Sequence, residues 1–216
     1  MLSYSAIREE IAKLGRRLAA REMIAGTDGN ISVRLESDRI MVTPSGRDKG
    51  LLDPQELVIV DLHGKKIEGD LEASSELAIH LFVYQSRPEI RACVHAHPPY
   101  ATAFAVAGME LPHDVLPEAV VMVGPIALTE FAPPGTEAVP RSLEMFVSEH
   151  NAFLLRNHGL LTIGRDLTEA GNRHETTEHC ARILYLARQL GGITRLPNDE
   201  VARLNELRIK SGNRPD

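Results

Sequence analysis

The sequence predicts one α/β domain with a mixed or antiparallel sheet between helices. Three observations predict it. Helical and strand periodicities are interspersed along the chain, several strand patterns come as hairpin-like pairs, and no repeat, low-complexity tract or linker divides residues 1–216. A chain of 216 residues is long enough for one large domain, and 43% hydrophobic with 25% charged residues is ordinary for a globular protein.

Residues 5–23 place Ile7, Ile11, Leu14, Leu18 and Met23 among Arg, Glu and Lys, the spacing of an amphipathic helix with Ser3 or Ser5 as its N-cap. Gly26 and Gly29-Asn30 break it. Ile31 to Leu35 alternates like a half-buried strand and can pair with Arg39–Thr43 as a hairpin, after which Pro44-Ser45-Gly46 turns the chain. Leu57–Asp61 reads as a third strand. Ser75 to Gln85 reads as a helix stopped before Pro88, and Ile90 to His97 as a strand ended by Pro98-Pro99. A short helix over 100–106 is closed by Gly108. The prolyl stretch 109–134 has room for two short strands, and 136–150 looks helical with Pro140 in its first turns or kinking it. Residues 152–163 read as a strand pair broken at Asn157-His158-Gly159. A long helix over 168–190 is capped by Thr168 and ended by Gly191-Gly192, and the tail after Pro197 is polar and expected to fray.

Composition excludes several function classes. A net charge of −6 argues against a nucleic-acid binder that works by phosphate neutralisation and supplies no basic face for a membrane. No run of about 18 apolar residues is present, and the N-terminus has no basic segment followed by an apolar one, so neither a membrane span nor a signal peptide is expected. Cys93 and Cys180 are far apart and form no CxxC pair, which points to a reducing cytoplasm.

His95-Ala96-His97 carries the strongest chemical signal. Side chains at i and i+2 of a strand share a face, so two imidazoles there can ligate one ion. Two surface histidines would give the same doublet, but the apolar lead-in Ala92-Cys93-Val94 predicts a buried strand. Two buried imidazoles then repel if protonated and need partners if neutral. His158 is the best third ligand. Three imidazoles suit Zn²⁺, with Mn²⁺ or Co²⁺ as alternatives, and leave an open position for catalysis. Ser74-Ser75-Glu76 is by itself a good helix start. It is also a candidate anion cradle with Glu76 as a base beside the metal. Thr27-Asp28-Gly29-Asn30 and Thr43-Pro44-Ser45-Gly46 are two more donor-rich turns, able with the serines to hold a phosphate without arginine.

These pieces, Gly29-Asn30-Ile31-Ser32, Thr43-Pro44-Ser45-Gly46, Ser74-Ser75-Glu76, His95-Ala96-His97 and Asn157-His158-Gly159, occur in the order found in the class II aldolase/adducin-head family, which the chain resembles over roughly residues 5 to 190. The resemblance implies a three-layer α/β/α fold around a mixed, mainly antiparallel sheet, and a homotetramer with sites near subunit interfaces. It implies zinc on His95, His97 and His158, and Glu76 as catalytic acid/base, able to ligate the metal when substrate is absent. Gly29, Asn30, Ser45, Gly46, Ser74 and Ser75 would surround the substrate phosphate. The implied reaction is reversible cleavage of a ketose 1-phosphate, similar to L-fuculose 1-phosphate, to dihydroxyacetone phosphate and an aldehyde. Dehydratases, decarboxylases and an epimerase share the scaffold, as does the non-catalytic adducin head, which usually lacks the histidines. Aldolases of the family use a tyrosine from a neighbouring subunit. This chain reads Leu116-Pro117-Glu118-Ala119 there, making Glu118 a second catalytic candidate, and no tyrosine follows Tyr185.

Other residues receive simpler expectations. Tyr100 is expected to pack its ring with a wet hydroxyl, and His80 to make a helix-face hydrogen bond. His174, Glu175, Glu178 and His179 are expected on a solvated or intersubunit face. His113-Asp114 is assigned no role, and Arg208, Lys210 and Arg214 belong to the tail.

Overall fold

The computed structural model of the protein describes residues 3–36 and 39–210, so Arg214 lies outside the described residues. Helix α1 spans Tyr4–Ala20, and Ser3 caps it by accepting a hydrogen bond from the Ala6 amide at 3.2 Å. The helix stops three residues short of Met23 because the chain reverses at Glu22 (φ 58°), with the Met23 amide bonded back to the Leu18 carbonyl at 3.0 Å. Met23 is still buried there.

The strands are β1 (Asn30–Arg34), β2 (Arg39–Val42), β3 (Val58–Asp61), β4 (Lys66–Glu68), β5 (Ala92–Ala96), β6 (Ile126–Leu128), β7 (Ala152–Leu155) and β8 (Gly159–Gly164). They form one sheet in the order β4-β3-β2-β1-β5-β8-β7-β6. Each pairing is antiparallel except β6 with β7, which is parallel. The mixed, mainly antiparallel sheet is therefore as expected.

Two helical layers cover it. On one face lie α2 (Leu77–Ser86), the one-turn α4 (Ala138–Arg141) and the turns that follow it, packed through Ile79, Val83, Val139, Leu143 and Val147 onto Ile40, Val60, Cys93, Phe153 and Ile163. On the other lie α1, α3 (Pro99–Ala107) and α5 (Leu167–Gln189), packed onto Met41, Ala92, Val94, Leu154 and Leu160. The period of two in β5 sorts its side chains: Ala92, Val94 and Ala96 face α1 and α5, while Cys93, and His95 with it, face the α2 layer. Full burial of a residue such as Phe153 contributes about 2–3 kcal/mol, and Phe153 is wholly enclosed.

Several expectations are corrected. Residues 109–134 hold one strand, β6, and a π-helical turn over Ala119–Val123 instead of two strands. Only α4 within 136–150 is regular helix; beyond Arg141 the chain runs on as turns through residue 149. Asp166, not Thr168, caps α5, by accepting from the Glu169 amide at 2.7 Å. The polar tail is ordered as α6 (Asn198–Lys210), which buries Leu204 and packs on the π-helical turn. Among the described residues no helix is long and apolar enough to cross a membrane.

Candidate metal centre

Three neighbouring strands in the middle of the sheet, β1, β5 and β8, deliver the site. His95 is the fourth residue of β5, and His97 follows its last residue with its ring on the same side. His158 sits in the tight turn between β7 and β8, where Asn157 adopts the left-handed conformation (φ 55°) that asparagine tolerates. The ring centroids are 5.1 Å apart for His95–His97, 4.7 Å for His95–His158 and 5.0 Å for His97–His158. Their candidate ligand nitrogens all lie within 4.8 Å of one another, a group that could close on a single metal ion.

Close approach of the histidines requires glycine twice. A Cβ on Gly159 would stand 2.5 Å from His97 Cδ2, and one on Gly29 (φ 71°) would stand 2.6 Å from the His95 carbonyl oxygen.

The ring orientations are set from behind. His95 Nδ1 meets the Leu160 carbonyl at 3.0 Å, so it carries the proton and leaves Nε2 with its lone pair. His97 Nδ1 lies 3.3 Å from Asp28 Oδ2. In both rings Nε2 is buried without a hydrogen-bond partner. Two orphaned imidazole nitrogens aimed at one place are costly unless a cation takes their lone pairs, so the donor set fits a bound divalent metal. Burial, followed by the charges of His95 and His158, brings His97 down to about 4, so it is neutral and able to ligate at physiological pH.

Glu76 completes the centre from the residue preceding α2. Its Oε1 is 3.0 Å from His158 Nε2, its Oε2 is 3.4 Å from His95 Nε2, and the Asn30 amide donates to Oε2 at 3.0 Å. Burial alone would raise its pKa. The imidazoles of His158 and His95 beside it outweigh that and hold the carboxyl well below the usual carboxylate range. Glu76, and neither serine, occupies the N-cap position of α2; Ser74 Oγ instead accepts from the Glu76 amide at 3.3 Å.

Backbone bonds knit the three predicted turns side by side. The Thr43 amide bonds to the Ile31 carbonyl at 3.0 Å, the Ser45 amide to the Glu72 carbonyl at 2.9 Å, and the Ser74 amide to the Thr43 carbonyl at 3.2 Å. Gly29 and Asn30 are buried, Ser74 is half-buried, and Ser45, Gly46 and Ser75 are exposed, so the row opens to solvent beside the histidines. Glu118 lies elsewhere. It is exposed at the start of the π-helical turn, and among the described residues no hydrogen bond or ion pair joins it to Glu76 or the three histidines.

Helical neighbours depart from expectation. His80 is fully buried and bonds across to Ser32 Oγ at 2.7 Å, which in turn meets the Tyr84 hydroxyl at 2.7 Å. His174 and Glu178 do not face solvent: both are buried, and Glu178 accepts the Tyr100 and Ala101 amides at 3.0 and 2.8 Å, capping α3. His179 alone of that cluster is exposed. Tyr100 packs its ring against Tyr185, centroids 5.7 Å apart. Two residues near the site had no assigned role, Asp28 and Lys49. Asp28 sits in a turn already noted for its glycine and asparagine. Lys49 follows an exposed turn, and nothing local in the sequence foretells that it is 2% exposed.

The chain matches the family described as Class II Aldolase and Adducin N-terminal domain over residues 9–185. It is 34% identical over 199 residues to a 5-deoxy-D-ribulose 1-phosphate aldolase of Bacillus thuringiensis serovar kurstaki, covering 91% of this chain and 92% of that protein. It is 33% identical to a 3-oxo-tetronate 4-phosphate decarboxylase of Haemophilus influenzae, covering 82% and 86%. A solved structure of an L-fuculose 1-phosphate aldolase superposes with a TM-score of 0.86 at 33% identity, covering 95% of this chain and 97% of that one.

Proposed function

The chain belongs to the class II aldolase and adducin N-terminal domain family, and from that premise we propose that it is a zinc-dependent aldolase that reversibly cleaves a short ketose 1-phosphate to dihydroxyacetone phosphate and an aldehyde. One observation carries the reading: a carboxylate, Glu76, stands 3.0 Å from one of three converging imidazoles, two of which have unpartnered nitrogens. A base beside a cation site with an open position is the equipment for making and quenching a carbanion next to a carbonyl.

His95, His97 and His158 would hold the ion, which when bound supplies Lewis acidity to the carbonyl and neighbouring hydroxyl oxygens of the substrate. Glu76 gives a proton to the carbon of the three-carbon fragment on cleavage and removes it on condensation. Asn30, donating to Oε2 at 3.0 Å, keeps that carboxylate aimed. Gly29, Asn30, Ser45, Gly46, Ser74 and Ser75 take the phosphate with backbone amides, hydroxyls and an amide side chain. The aldehyde oxygen needs its own proton carrier. Glu118 is suited to that if an adjoining subunit of a homotetramer brings it across, because in its own subunit it faces solvent. The buried free thiols Cys93 and Cys180 support a cytoplasmic setting, where thiols stay reduced.

A decarboxylase or dehydratase on the same scaffold is the second reading, favoured by the Haemophilus influenzae relative and by glutamate in place of tyrosine at 118. Incubating zinc-loaded protein with a panel of ketose 1-phosphates and a 3-oxo acid phosphate separates them. Dihydroxyacetone phosphate release supports the aldolase; carbon dioxide release, or loss of water without chain cleavage, replaces it. Within the aldolase reading, Glu76→Gln should lower kcat about 10²–10⁴-fold, with zinc still bound.

A further inference from the structure

Lys49 is buried, 2% exposed, among the most enclosed charged residues of those described, and it belongs to no core cluster. Its peptide is wedged under α1, where a Cβ on Gly15 would meet the Lys49 carbonyl oxygen at 2.3 Å. Its ammonium donates to the Thr27 carbonyl, in the turn that precedes β1. The next residue, Asp28, is the one whose Oδ2 lies 3.3 Å from His97 Nδ1. The lysine, its carbonyl partner, the adjacent carboxylate and a candidate ligand thus form one continuous line. A buried ammonium is strongly disfavoured unless it is anchored. Burial pulls its pKa down, and Asp28, Asp48 and Glu76 push back. His95 receives its orientation from a strand carbonyl, which the sheet holds in place. The counterpart for His97 is a side-chain carboxylate on an exposed turn, which needs a separate anchor.

We propose that Lys49 is a positioning residue of the metal centre: by gripping the Thr27 carbonyl it sets the Asp28 carboxylate against His97 and so fixes that imidazole for ligation. The proposal rests on the reading of His95, His97 and His158 as a cation site. Carboxylates that orient a ligating histidine typically control metal affinity by about 10–100-fold.

The test is a thermodynamic cycle on metal affinity. Wild type, Lys49→Met, Asp28→Asn and the double variant are stripped of metal and titrated with Co²⁺, following its visible absorption bands, and with Zn²⁺ against a chromophoric chelator. Each single change should weaken binding about 10–100-fold, with altered Co²⁺ bands. The double variant should be no weaker than the poorer single, because both changes break one line. Unchanged affinity in either folded single variant overturns the proposal, and so does a double loss equal to the product of the two. Lys49→Gln, which keeps a donor for the Thr27 carbonyl, should bind more tightly than Lys49→Met, and Lys49→Leu, which has no donor, takes the place of Lys49→Met in the cycle if the methionine variant does not fold. Wild-type protein that binds neither ion overturns the cation-site reading itself, a different result from variants that match a wild type that does bind.

Discussion

Five histidines gather around the middle of the sheet and fall into two groups. His95, His97 and His158 lie between strands at its open end; His80 and His174 lie in the helical layers on either side. Burial does not tell the groups apart, since His80 and His174 are more enclosed than His97. Nor does an unsatisfied nitrogen, because Nε2 is without a partner in His80 and His174 just as in His95 and His97. The difference is focus. The first three rings point at each other's lone pairs within 4.8 Å. His80 instead serves Ser32, and His174 meets Thr162 Oγ1 at 3.2 Å. Convergence from separate elements is what marks a ligand set, and a buried histidine alone marks only a core that needed a polar fixture.

The sharpest way to break this comparison is to remove one ring from each group. His158→Ala should abolish stoichiometric zinc binding and lower activity about 10³-fold or more, the several kcal/mol that a lost Lewis acid is worth. His174→Asn should keep one metal per chain by elemental analysis while lowering the melting temperature. Equal metal loss in both would erase the distinction. A smaller effect is expected from Gly159→Ala, whose methyl would collide with His97. Overpacking of this kind costs about 1–3 kcal/mol, and here it should appear as weaker zinc affinity in a chelator competition, with the two core rings undisturbed. At neutral pH the titration of the core pair shows no effect of its own, and its contribution emerges only in acid. Burial, then the charge of His95, pushes His80 and His174 each down to about 3. The unfolded chain takes up protons at these residues below about pH 6.5, where the folded chain does not. Their contribution is therefore intact above that pH and declines as pH falls toward 3, by up to about 1.4 kcal/mol per pH unit for each ring. Denaturant unfolding of metal-free protein between pH 7 and 4.5 should show this slope, to which the lowered His97 also contributes, and His80→Asn should make it shallower.

Much of this arrangement was legible from residue order. HxH after an apolar lead-in, a third histidine in a hairpin turn and three donor-rich turns are local patterns, and the structure brings the histidines and turns together. The period of two placed β1, β2, β3, β5, β7 and β8 within a few residues. What escaped depended on tertiary context. Strand β4 is three exposed residues whose pairing with β3 supplies the whole signal. Helix α6 has a single buried residue, Leu204, and exists because the π-helical turn offers it a surface. Residues 136–150 have helical spacing, but their contacts to the sheet are met by consecutive turns. His174 and Glu178 have a polar sequence context that hides their burial, and Lys49 is covered by a helix more than thirty positions earlier in the chain, α1.

The strands that carry the candidate ligands are flanked on both sides: β5 is bonded to β1 and β8, and β8 to β5 and β7. Backbone pairing on both sides is expected to hold the scaffold together without help from an ion. A cation bound there would exchange through the solvent-facing mouth while the frame persists. Dialysis against a chelator should silence the protein reversibly, leaving its far-ultraviolet circular dichroism unaltered and its activity restored by fresh zinc.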